Sequence, residues 1–352
     1  MIKKAPRREQ SPYNSACSVS KREIPKLIWA FRAGRASNRE SREQDTTYWA
    51  DKLQRNELSA EGVYAMFTNC DEHTEGKQPC KLFVPPGHFY SPIVDPATIR
   101  KSASKMGDPF GIDLREPNQL AYLRQIERHY PGLPFTSERN ADTRYYYENP
   151  AFPYGDAIVL ASTILEFRPA HFIEVGSGYS SGAALDIVEQ FLNWATECTF
   201  IEPYPALLHT IIHLDDYAHI RIYPQRVQDV PLDTFDRLEA NDILFIDSSH
   251  VAKTDSDVVH CIFRVLPRLK PGVLVHFHDM FYPFEYPETW VVDENRSWNE
   301  LYFLQAFLMY NTHWEIQFFN SFMAYRYGEI LRRSLPDFLR NPGGSLWLRK
   351  TR

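Results

Sequence analysis

The chain has 352 residues, of which 43% are hydrophobic and 24% are charged, and its formal net charge at pH 7 is -6. Both fractions are close to the average of globular proteins, which excludes a wholly disordered chain. The sequence has no apolar run of about 18 residues, and its first residues lack the apolar core of a signal peptide, so neither a membrane span nor secretion is predicted. We therefore expect a cytoplasmic protein of one or two domains.

Positive charge is concentrated at the start of the chain. Residues 1–46 contain 11 Lys or Arg against 5 Asp or Glu, a net charge of +6, which leaves -12 for the remainder. An acidic body argues against nucleic acid as the main partner. The five cysteines are widely spaced and include no Cys-x-x-Cys pair, which argues against a zinc–thiolate site and against a disulfide framework.

Composition and periodicity divide the chain into four parts. Residues 1–46 predict a basic, weakly ordered tail, and residues 47–149 predict a cap of helices and an aromatic loop. Residues 150–327 predict the main domain, and residues 328–352 an extension that packs back onto it. Within the cap, the apolar spacing predicts a helix over 118–130, which the Pro-Gly pair that follows would end.

From residue 150 onwards, short apolar runs alternate with helical patterns. The runs predict strands at 171–175, 198–201, 220–223, 242–246 and 272–277. Helices are predicted before and between them, and after the last, at 156–167, 179–194, 205–214, 254–266 and 298–310. The alternation indicates βαβ units and a parallel sheet covered by helices on both faces. Two further runs, 314–319 and 322–326, are too close together for a parallel crossover, which predicts an antiparallel hairpin at the sheet edge.

The first predicted strand ends in an acid and a glycine turn, Glu174-Val-Gly-Ser-Gly178. Ligands of open α/β sheets bind at the carboxyl ends of the strands, and Gly176 and Gly178 let the backbone approach a ligand closely. Ser180 stands where the next helix begins and can cap it. The spacing to the third glycine, Gly182, differs from the dinucleotide fingerprint, and Glu174 suits a cationic ligand better than a diphosphate.

Polar residues also follow the second and third predicted strands. Glu202 comes directly after the second, where a carboxylate can accept two hydrogen bonds from a ribose diol. Alternatively, Glu202 only complements the positive end of a helix dipole. After the third strand, Gln228 or Asp229 can recognise an adenine edge, or both belong to a surface loop.

Residues 150–327 resemble the class I S-adenosylmethionine-dependent methyltransferases. The resemblance rests on the motif from Glu174 to Gly178, on Glu202, on the five alternating runs and on the terminal pair of strands. It implies a Rossmann-like, mostly parallel α/β sheet of seven strands with an antiparallel terminal hairpin, next to the N-terminal cap. It also implies S-adenosylmethionine as cofactor, held by Glu174, Gly176, Ser177, Gly178, Ser180, Glu202, Gln228, Asp229 and Asp247.

Acids also stand at the carboxyl ends of the fourth and fifth predicted strands. Together, Asp247 and Asp279 suit a hard divalent cation such as Mg²⁺, which would lower the pKa of a substrate hydroxyl. The element Asp247-Ser-Ser-His250 resembles metal-dependent O-methyltransferases that modify sugars and macrolides, and this resemblance implies His250 as general base. His278 is an alternative base or a metal ligand. In another interpretation, Asp247 binds the cofactor and no metal.

Two segments rich in aromatic residues and proline are expected near the site. The segment that follows the fifth strand can stack against a hydroxylated ring or a sugar through Phe281, Tyr282 and Tyr286. The loop at 86–92 can fold back as a lid, with His88 and Tyr90 facing the acceptor.

The sequence therefore predicts an O-methyltransferase for a hydroxyl of a small molecule or glycan, with the catalytic residues His250, Asp279 and His278. Two other interpretations remain open. A metal-dependent oxygenase similar to cephalosporin hydroxylases would use the same two histidines and Asp279 as iron ligands. A non-catalytic scaffold would bind the cofactor and a protein partner. No nucleic-acid or membrane partner is expected, and the length outside the main domain leaves room for an oligomer surface.

Overall fold

The computed structural model describes residues 83–99 and 108–352, all of which belong to the second of two units in the chain, Cys80–Arg352. The predicted tail at 1–46 and the part of the predicted cap that precedes residue 83 lie outside the described residues. Among the helices that are described, none is both long and apolar enough to cross a membrane.

The described residues form seven strands, namely β1 His171–Val175, β2 Glu197–Ile201, β3 Ile220–Tyr223, β4 Ile243–Ile246, β5 Leu274–Phe277, β6 Trp314–Phe319 and β7 Leu346–Lys350. Their α-helices are α1 Glu116–His129, α2 Tyr154–Phe167, α3 Tyr179–Leu192, α4 Ala206–Ile211, α5 Asp233–Asp236, α6 Asp257–His260, α7 Glu300–Leu308 and α8 Asn320–Ser334. Shorter 3₁₀ turns lie at Pro96–Thr98, Tyr130–Gly132, Asp215–Ala218, Val227–Asp229, Leu266–Arg268 and Pro336–Arg340, and π-helical turns at Cys261–Val265 and Thr289–Asp293.

All seven strands belong to one mixed sheet in the order β3-β2-β1-β4-β5-β7-β6. The first five strands are parallel, as predicted, and β7 is antiparallel to both β5 and β6. In the register, Val175 is level with Ile201 of β2 and with Ile246 of β4, and Ile246 is level with Phe277 of β5. The residues that follow these four strands therefore meet at one edge of the sheet.

Helices on both faces bury the central strands. Every residue of β4 and β5 is buried, which agrees with the uninterrupted apolar sequence of β4 and with that of β5, where only His276 is polar. Helix α2 is buried from Tyr154 to Ile164 and packs against α1, α3 and the turn at Pro336–Arg340. This position explains why its sequence is apolar on nearly all sides, and it makes the buried Asp156 in its first turn unusual.

The predicted terminal hairpin is wrong in its second strand. Residues 322–326 lie in α8, and the strand that pairs with β6 is β7, near the end of the chain. Because β7 lies between β5 and β6, both of its faces need apolar side chains, and its first three residues are fully buried: Leu346, Trp347 and Leu348. Arg326 would not suit that position and instead forms a surface ion pair with Glu116. The last strand therefore comes from the segment predicted as an extension.

The other predicted helices are present with shifted ends. Helix α1 matches the prediction at 118–130, and α2 and α3 match those at 156–167 and 179–194. The helix predicted at 254–266 is instead divided into α6, a π-helical turn and a 3₁₀ turn. Pro267 lacks a backbone N–H and cannot continue an α-helix, and it lies in the 3₁₀ turn that closes this segment.

Candidate active site

The glycine turn after β1 is hydrogen-bonded to the end of β2 and lies in close contact with the end of β4. Gly176 has φ +82°, and a Cβ atom at this position would lie 1.7 Å from the carbonyl oxygen of Asp247. Its N–H donates to the carbonyl of Ile201 at 3.0 Å, and the N–H of Asp247 donates to that of Val175 at 2.8 Å. The turn thus needs glycine both for its left-handed conformation and for the close approach of β4.

Glu174 lies inside the fold rather than on a cleft wall. Its carboxylate is fully buried and accepts hydrogen bonds from the hydroxyls of Ser180 and Ser181, the latter at 2.6 Å. Burial raises the pKa of Glu174 to about 8, although the two serine hydroxyls act in the opposite direction. The acid predicted to meet a cationic ligand therefore anchors the first turn of α3.

Glu202 joins the ends of β1 and β2. Its two carboxylate oxygens accept hydrogen bonds from the backbone N–H groups of Ser177, at 3.2 Å, and of Tyr204, at 2.7 Å. Burial raises the pKa of Glu202 above its ordinary value. The hydroxyl of Ser177 is itself buried and has no hydrogen-bond partner among the described residues. The hydroxyl of Ser177, a donor, and the carboxylate of Glu202, an acceptor, thus lie side by side at this edge of the sheet.

These residues line a cleft of about 160 Å³, whose walls are formed by Ala151, Phe152, Gly176, Ser177, Gly178, Tyr179, Ser180, Glu202, Leu207 and Asp247. Six of the nine residues predicted to hold a cofactor are among them. The apolar wall residues were missed by the sequence analysis, because apolar side chains in a loop and on a helix carry no recognisable motif.

Gln228 and Asp229 do not line this cleft. Asp229 forms a surface ion pair with Arg226 at 2.9 Å, so its carboxylate is engaged. The side-chain amide of Gln228 donates to the carbonyl of Asp255 at 2.7 Å. The Oε1 atom of Gln228 is buried and has no hydrogen-bond partner among the described residues, so an acceptor remains available there.

Two imidazoles and two carboxylates meet beyond the ends of β4 and β5. The Nε2 atom of His250 lies 3.4 Å from Oδ1 of Asp247 and 3.4 Å from Oδ2 of Asp279. The Nδ1 atom of His278 lies 3.5 Å from Oδ1 of Asp247 and 3.6 Å from Oδ1 of Asp279. The structure therefore brings together the four residues predicted for catalysis and metal binding.

A further carboxylate contacts the outer nitrogen of each imidazole. Glu300, at the start of α7, lies 2.9 Å from Nδ1 of His250. Asp156, at the start of α2, lies 3.3 Å from Nε2 of His278. Both acids are buried, and neither was predicted from the sequence as a site residue. The sequence feature that could have indicated them is an isolated acid in the first turn of an otherwise apolar helix.

Charge balance in this acid–imidazole cluster shifts the pKa values of its members. Burial opposes protonation of His250, but the carboxylates of Asp247 and Glu300 outweigh it and raise the pKa to about 10. Burial likewise opposes protonation of His278, and Asp247 and Asp279 raise its pKa well above the ordinary value. The four carboxyl groups around the two imidazoles thus favour the protonated form of each ring as long as no cation is bound beside them.

The two glycines of the segment before β7 allow it to pass close to the cluster. A Cβ atom on Gly343, which has φ +72°, would lie 1.8 Å from Oδ2 of Asp156, and one on Gly344 would lie 2.9 Å from Cα of Asp279. The N–H of Ser345 donates to Asp156 at 2.9 Å. The chain end thus fixes the carboxylate that orients His278.

His250 and Asp279 both adopt left-handed backbone conformations, with φ +59° and +58°. Such conformations cost free energy in residues other than glycine and persist where the surroundings fix them. They turn both side chains towards the same point beyond the sheet edge.

A second cleft, of about 430 Å³, opens over the cluster, and its walls comprise Asn149, Pro150, Ala151, Pro153, Asp156, Asp247, His278, Asp279, Phe281, Trp290, Arg296, Asn341, Gly343 and Gly344. It shares Ala151 and Asp247 with the first cleft, so the two adjoin at these residues. Of the two predicted bases, His278 lines the second cleft and His250 does not.

Of the aromatic residues predicted to face the acceptor, Phe281 lines this cleft. Tyr282 instead donates a hydrogen bond to Asp108, and Tyr286 is buried with its hydroxyl accepting from the N–H of Leu301. The predicted lid residues His88 and Tyr90 are not among the wall residues of either cleft.

Another group of potential metal ligands occurs elsewhere in the described residues. Glu189, His213 and Asp216 place ligand atoms within 4.8 Å of one another. Arg144 forms ion pairs with Glu189 at 2.7 Å and with Asp216 at 2.5 Å. A guanidinium group already supplies the positive charge there, and the group stabilises the fold.

Comparison with known proteins addresses the class of this domain. Residues 173–280 match the family described as "Methyltransferase domain". A relative from Archaeoglobus fulgidus, described as an uncharacterized protein, is 37% identical over 171 residues, which are 46% of this chain and 76% of that protein.

Similar solved structures include the O-methyltransferase TomG from Streptomyces achromogenes, in complex with SAM. It is 12% identical, covers 66% of this chain and 90% of its own, and has a TM-score of 0.34. A putative O-methyltransferase from Klebsiella pneumoniae is 13% identical, covers 71% of this chain and 94% of its own, and has a TM-score of 0.33.

The strand order, the antiparallel β7 between β5 and β6, and the glycine turn after β1 define a methyltransferase domain of class I. The family match covers the turn and the ends of the first five strands. The chain therefore belongs to the class I S-adenosylmethionine-dependent methyltransferases.

Proposed function

We propose that the protein transfers a methyl group from S-adenosylmethionine to a hydroxyl of a small polyhydroxylated molecule or glycan, with assistance from a divalent cation. The observation that carries the proposal is the junction of the two clefts at Asp247. One cleft contains the glycine turn and Glu202, and the other contains the acids and imidazoles. A methyl donor in the first would face an acceptor in the second, which is what in-line transfer requires.

The first cleft has the groups that this cofactor needs. Glu202 would accept hydrogen bonds from the ribose diol, and Ser177 has an unpartnered hydroxyl in the same cleft. The backbone at Gly176 and Gly178 has no side chains that would obstruct a ligand. When bound, the cofactor supplies a methyl group on a positively charged sulfur, and the carboxylates of Glu202 and Asp247 provide the opposite charge.

Asp247 and Asp279 would hold the cation, with His250 and His278 as nitrogen neighbours. The excess of carboxyl groups over imidazoles in the cluster favours such an ion. Carboxylate oxygens suit Mg²⁺ or Mn²⁺, whereas imidazole nitrogens suit Fe²⁺ or Zn²⁺. A cation there would lower the pKa of an acceptor hydroxyl and of both imidazoles.

We propose His278 rather than His250 as the group that accepts the hydroxyl proton. His278 lines the acceptor cleft, its Nδ1 atom faces Asp247 and Asp279, and Asp156 holds its opposite nitrogen. A base whose ring is oriented by a buried carboxylate is a recurrent arrangement in catalysis. His250, held by Glu300, would position the two aspartates.

Calorimetric titration of the full chain with S-adenosylmethionine tests the cofactor assignment, and absence of heat at millimolar ligand would overturn it. Labelled cofactor incubated with fractionated small molecules and glycans tests transfer. Activity that survives complete chelation would remove the cation from the proposal.

The metal-dependent oxygenase is a second candidate because two imidazole nitrogens lie within 3.6 Å of one carboxylate. Metal analysis separates the two: stoichiometric iron together with oxygen consumption would favour the oxygenase. If every acceptor pool stays unlabelled although the cofactor binds, the non-catalytic scaffold is favoured.

A further inference from the structure

Arg296 occupies an unusual position at the acceptor cleft. Its guanidinium carbon lies 4.2 Å from the ring centre of Trp290 and 4.8 Å from that of Trp298. Its backbone N–H donates to the carbonyl of Trp290 at 2.9 Å, which fixes the loop after the turn at Thr289–Asp293. The guanidinium group is thus held against two indole rings, where stacking is favourable and hydration is reduced.

The guanidinium group retains unused donors. Its Nε–H donates to a carboxylate oxygen of Glu294 at 2.5 Å. Neither of its terminal amino groups has a hydrogen-bond partner within residues 83–99 and 108–352, and the side chain is 33% exposed. Glu294 therefore uses only the Nε donor of the guanidinium group. The two terminal amino groups can together bind a planar or tetrahedral oxyanion in bidentate fashion.

Arg296 is near the proposed chemistry. It lines the same cleft as His278 and Asp279. The ring of Trp298, which Arg296 contacts, also lies 4.5 Å from that of His250. The guanidinium carbon of Arg296 and the ring of His250 both contact the indole of Trp298, at 4.8 Å and 4.5 Å. The guanidinium carbon therefore lies within roughly 9 Å of the His250 ring. A single sugar-sized molecule can span that distance.

We propose that the acceptor is a sugar-sized polyol that carries an oxyanion, a carboxylate or a phosphate, which binds Arg296 while a hydroxyl faces Asp279. This inference rests on the proposed function and names its substrate class. At one end of the cleft, Arg296 provides a fixed, partly dehydrated cation for the oxyanion. The acids at the other end are each in contact with an imidazole, which limits repulsion of an anionic acceptor. Trp290 and Phe281, both in the wall of this cleft, provide apolar surface for the ring of the polyol.

Binding of simple anionic sugars tests this inference without any methyl transfer. We would titrate the full chain with D-glucuronate, D-glucose 6-phosphate and D-glucose, following tryptophan fluorescence and heat. At least one anionic sugar should bind, and D-glucose should bind more weakly by roughly tenfold or more, the effect of one charged hydrogen-bonded pair. Comparison of the two anionic sugars distinguishes a carboxylate from a phosphate.

Variants locate the binding at Arg296. Arg296→Gln should weaken the anionic sugar by roughly tenfold, whereas Arg296→Lys should retain part of the affinity because it keeps the charge but not the fork. Glu294→Gln should strengthen binding, since it removes a competing carboxylate. Arg332→Gln, which breaks a surface ion pair in α8, serves as the control and should change nothing.

Three results would overturn the inference. The first is equal affinity for D-glucose and both anionic sugars, and the second is no detectable binding of any of them at millimolar concentration. The third is unchanged binding by Arg296→Gln. Because a separate titration with S-adenosylmethionine tests the cofactor cleft, a failure at Arg296 is distinguishable from a failure of the proposed methyl transfer.

Discussion

The Nε2 atom of His278 lies 3.3 Å from Oδ2 of Asp156, a residue 122 positions earlier in the chain. The same carboxylate accepts hydrogen bonds from Asn320, at 3.0 Å, and from the N–H of Ser345, at 2.9 Å. Asp156 therefore links the start of α2, the end of β5, the start of α8 and the segment before β7. One buried side chain fixes both the chain end and the orientation of the proposed base.

Asp156→Asn should lower the pKa of His278 and reduce methyl transfer by tenfold or more, because it removes a charge and misorients the imidazole. The affinity for S-adenosylmethionine should stay within about threefold, since Asp156 is not a wall residue of the first cleft. NMR titration of the imidazole signals and calorimetry measure the two effects. Asp236→Asn, which breaks a surface ion pair, is the control. An unchanged His278 titration in Asp156→Asn would contradict the orienting role.

Gly176→Ala should destabilise the fold by at least about 2 kcal/mol and abolish cofactor binding. The added methyl group would collide with the carbonyl of Asp247, and φ +82° is unfavourable for alanine. Gly178→Ala is the matched control for stability only, because its nearest contact would be an ordinary 3.5 Å to Leu207. Chemical denaturation of both variants gives the free energies of unfolding. Equal stability of the two variants would contradict the close approach of the turn and β4.

The buried Glu174 predicts a pH dependence of stability. Burial raises its pKa from 4.5 to about 8, so between these values the native chain holds a proton that the unfolded chain has released. The free energy of unfolding should therefore fall as pH rises through this window, by up to about 1.4 kcal/mol per pH unit. Below the unfolded pKa and above the native one, the contribution no longer varies.

Denaturation at several pH values, with wild type and Glu174→Gln side by side, measures this contribution. The variant cannot ionise and should lose stability less steeply than wild type as pH rises. Glu239→Gln, at an exposed carboxylate, should follow wild type. If Glu174→Gln and wild type show parallel pH profiles, Glu174 is ionised in the native state.

Asp247→Asn and Asp279→Asn should each weaken divalent-metal binding by at least tenfold, because each removes one of two carboxylate ligands. Metal analysis and calorimetry with Mg²⁺, Mn²⁺ and Fe²⁺ would show which ion is preferred. A loss confined to cofactor binding in Asp247→Asn, with metal binding unaffected in both variants, would assign Asp247 to the cofactor alone.

Glu202→Ala should weaken S-adenosylmethionine by roughly tenfold or more, because it removes the acceptor proposed for the ribose diol. It also leaves the N–H groups of Ser177 and Tyr204 without their partner, so the unfolding free energy must be measured alongside the affinity. Glu202→Gln, which retains an acceptor, should bind better than Glu202→Ala. Equal affinity in all three proteins would contradict a ribose contact.

Local sequence patterns predicted the parallel part of the sheet and the residues at its edge. Period and length of apolar runs place Glu202, Asp247 and Asp279 at strand ends, and parallel strands bring their carboxyl ends together regardless of how the rest folds. The glycine turn was predictable because only glycine tolerates φ +82° beside another backbone. These features depend on neighbouring residues in the sequence, which is why they can be read there.

The tertiary structure alone decided which strand closes the sheet and which groups surround the two imidazoles. Phe322 begins an apolar stretch as β-prone as that of β7, and only the buried position between β5 and β6 selects Leu346–Lys350. Asp156 and Glu300 lie 122 and 50 residues from the imidazoles that they contact and carry no motif, because contacts between distant residues leave no local spacing. The sequence by itself thus determined the class of the protein and the edge at which it binds its ligands, while long-range packing set the charges and contacts that the acceptor meets.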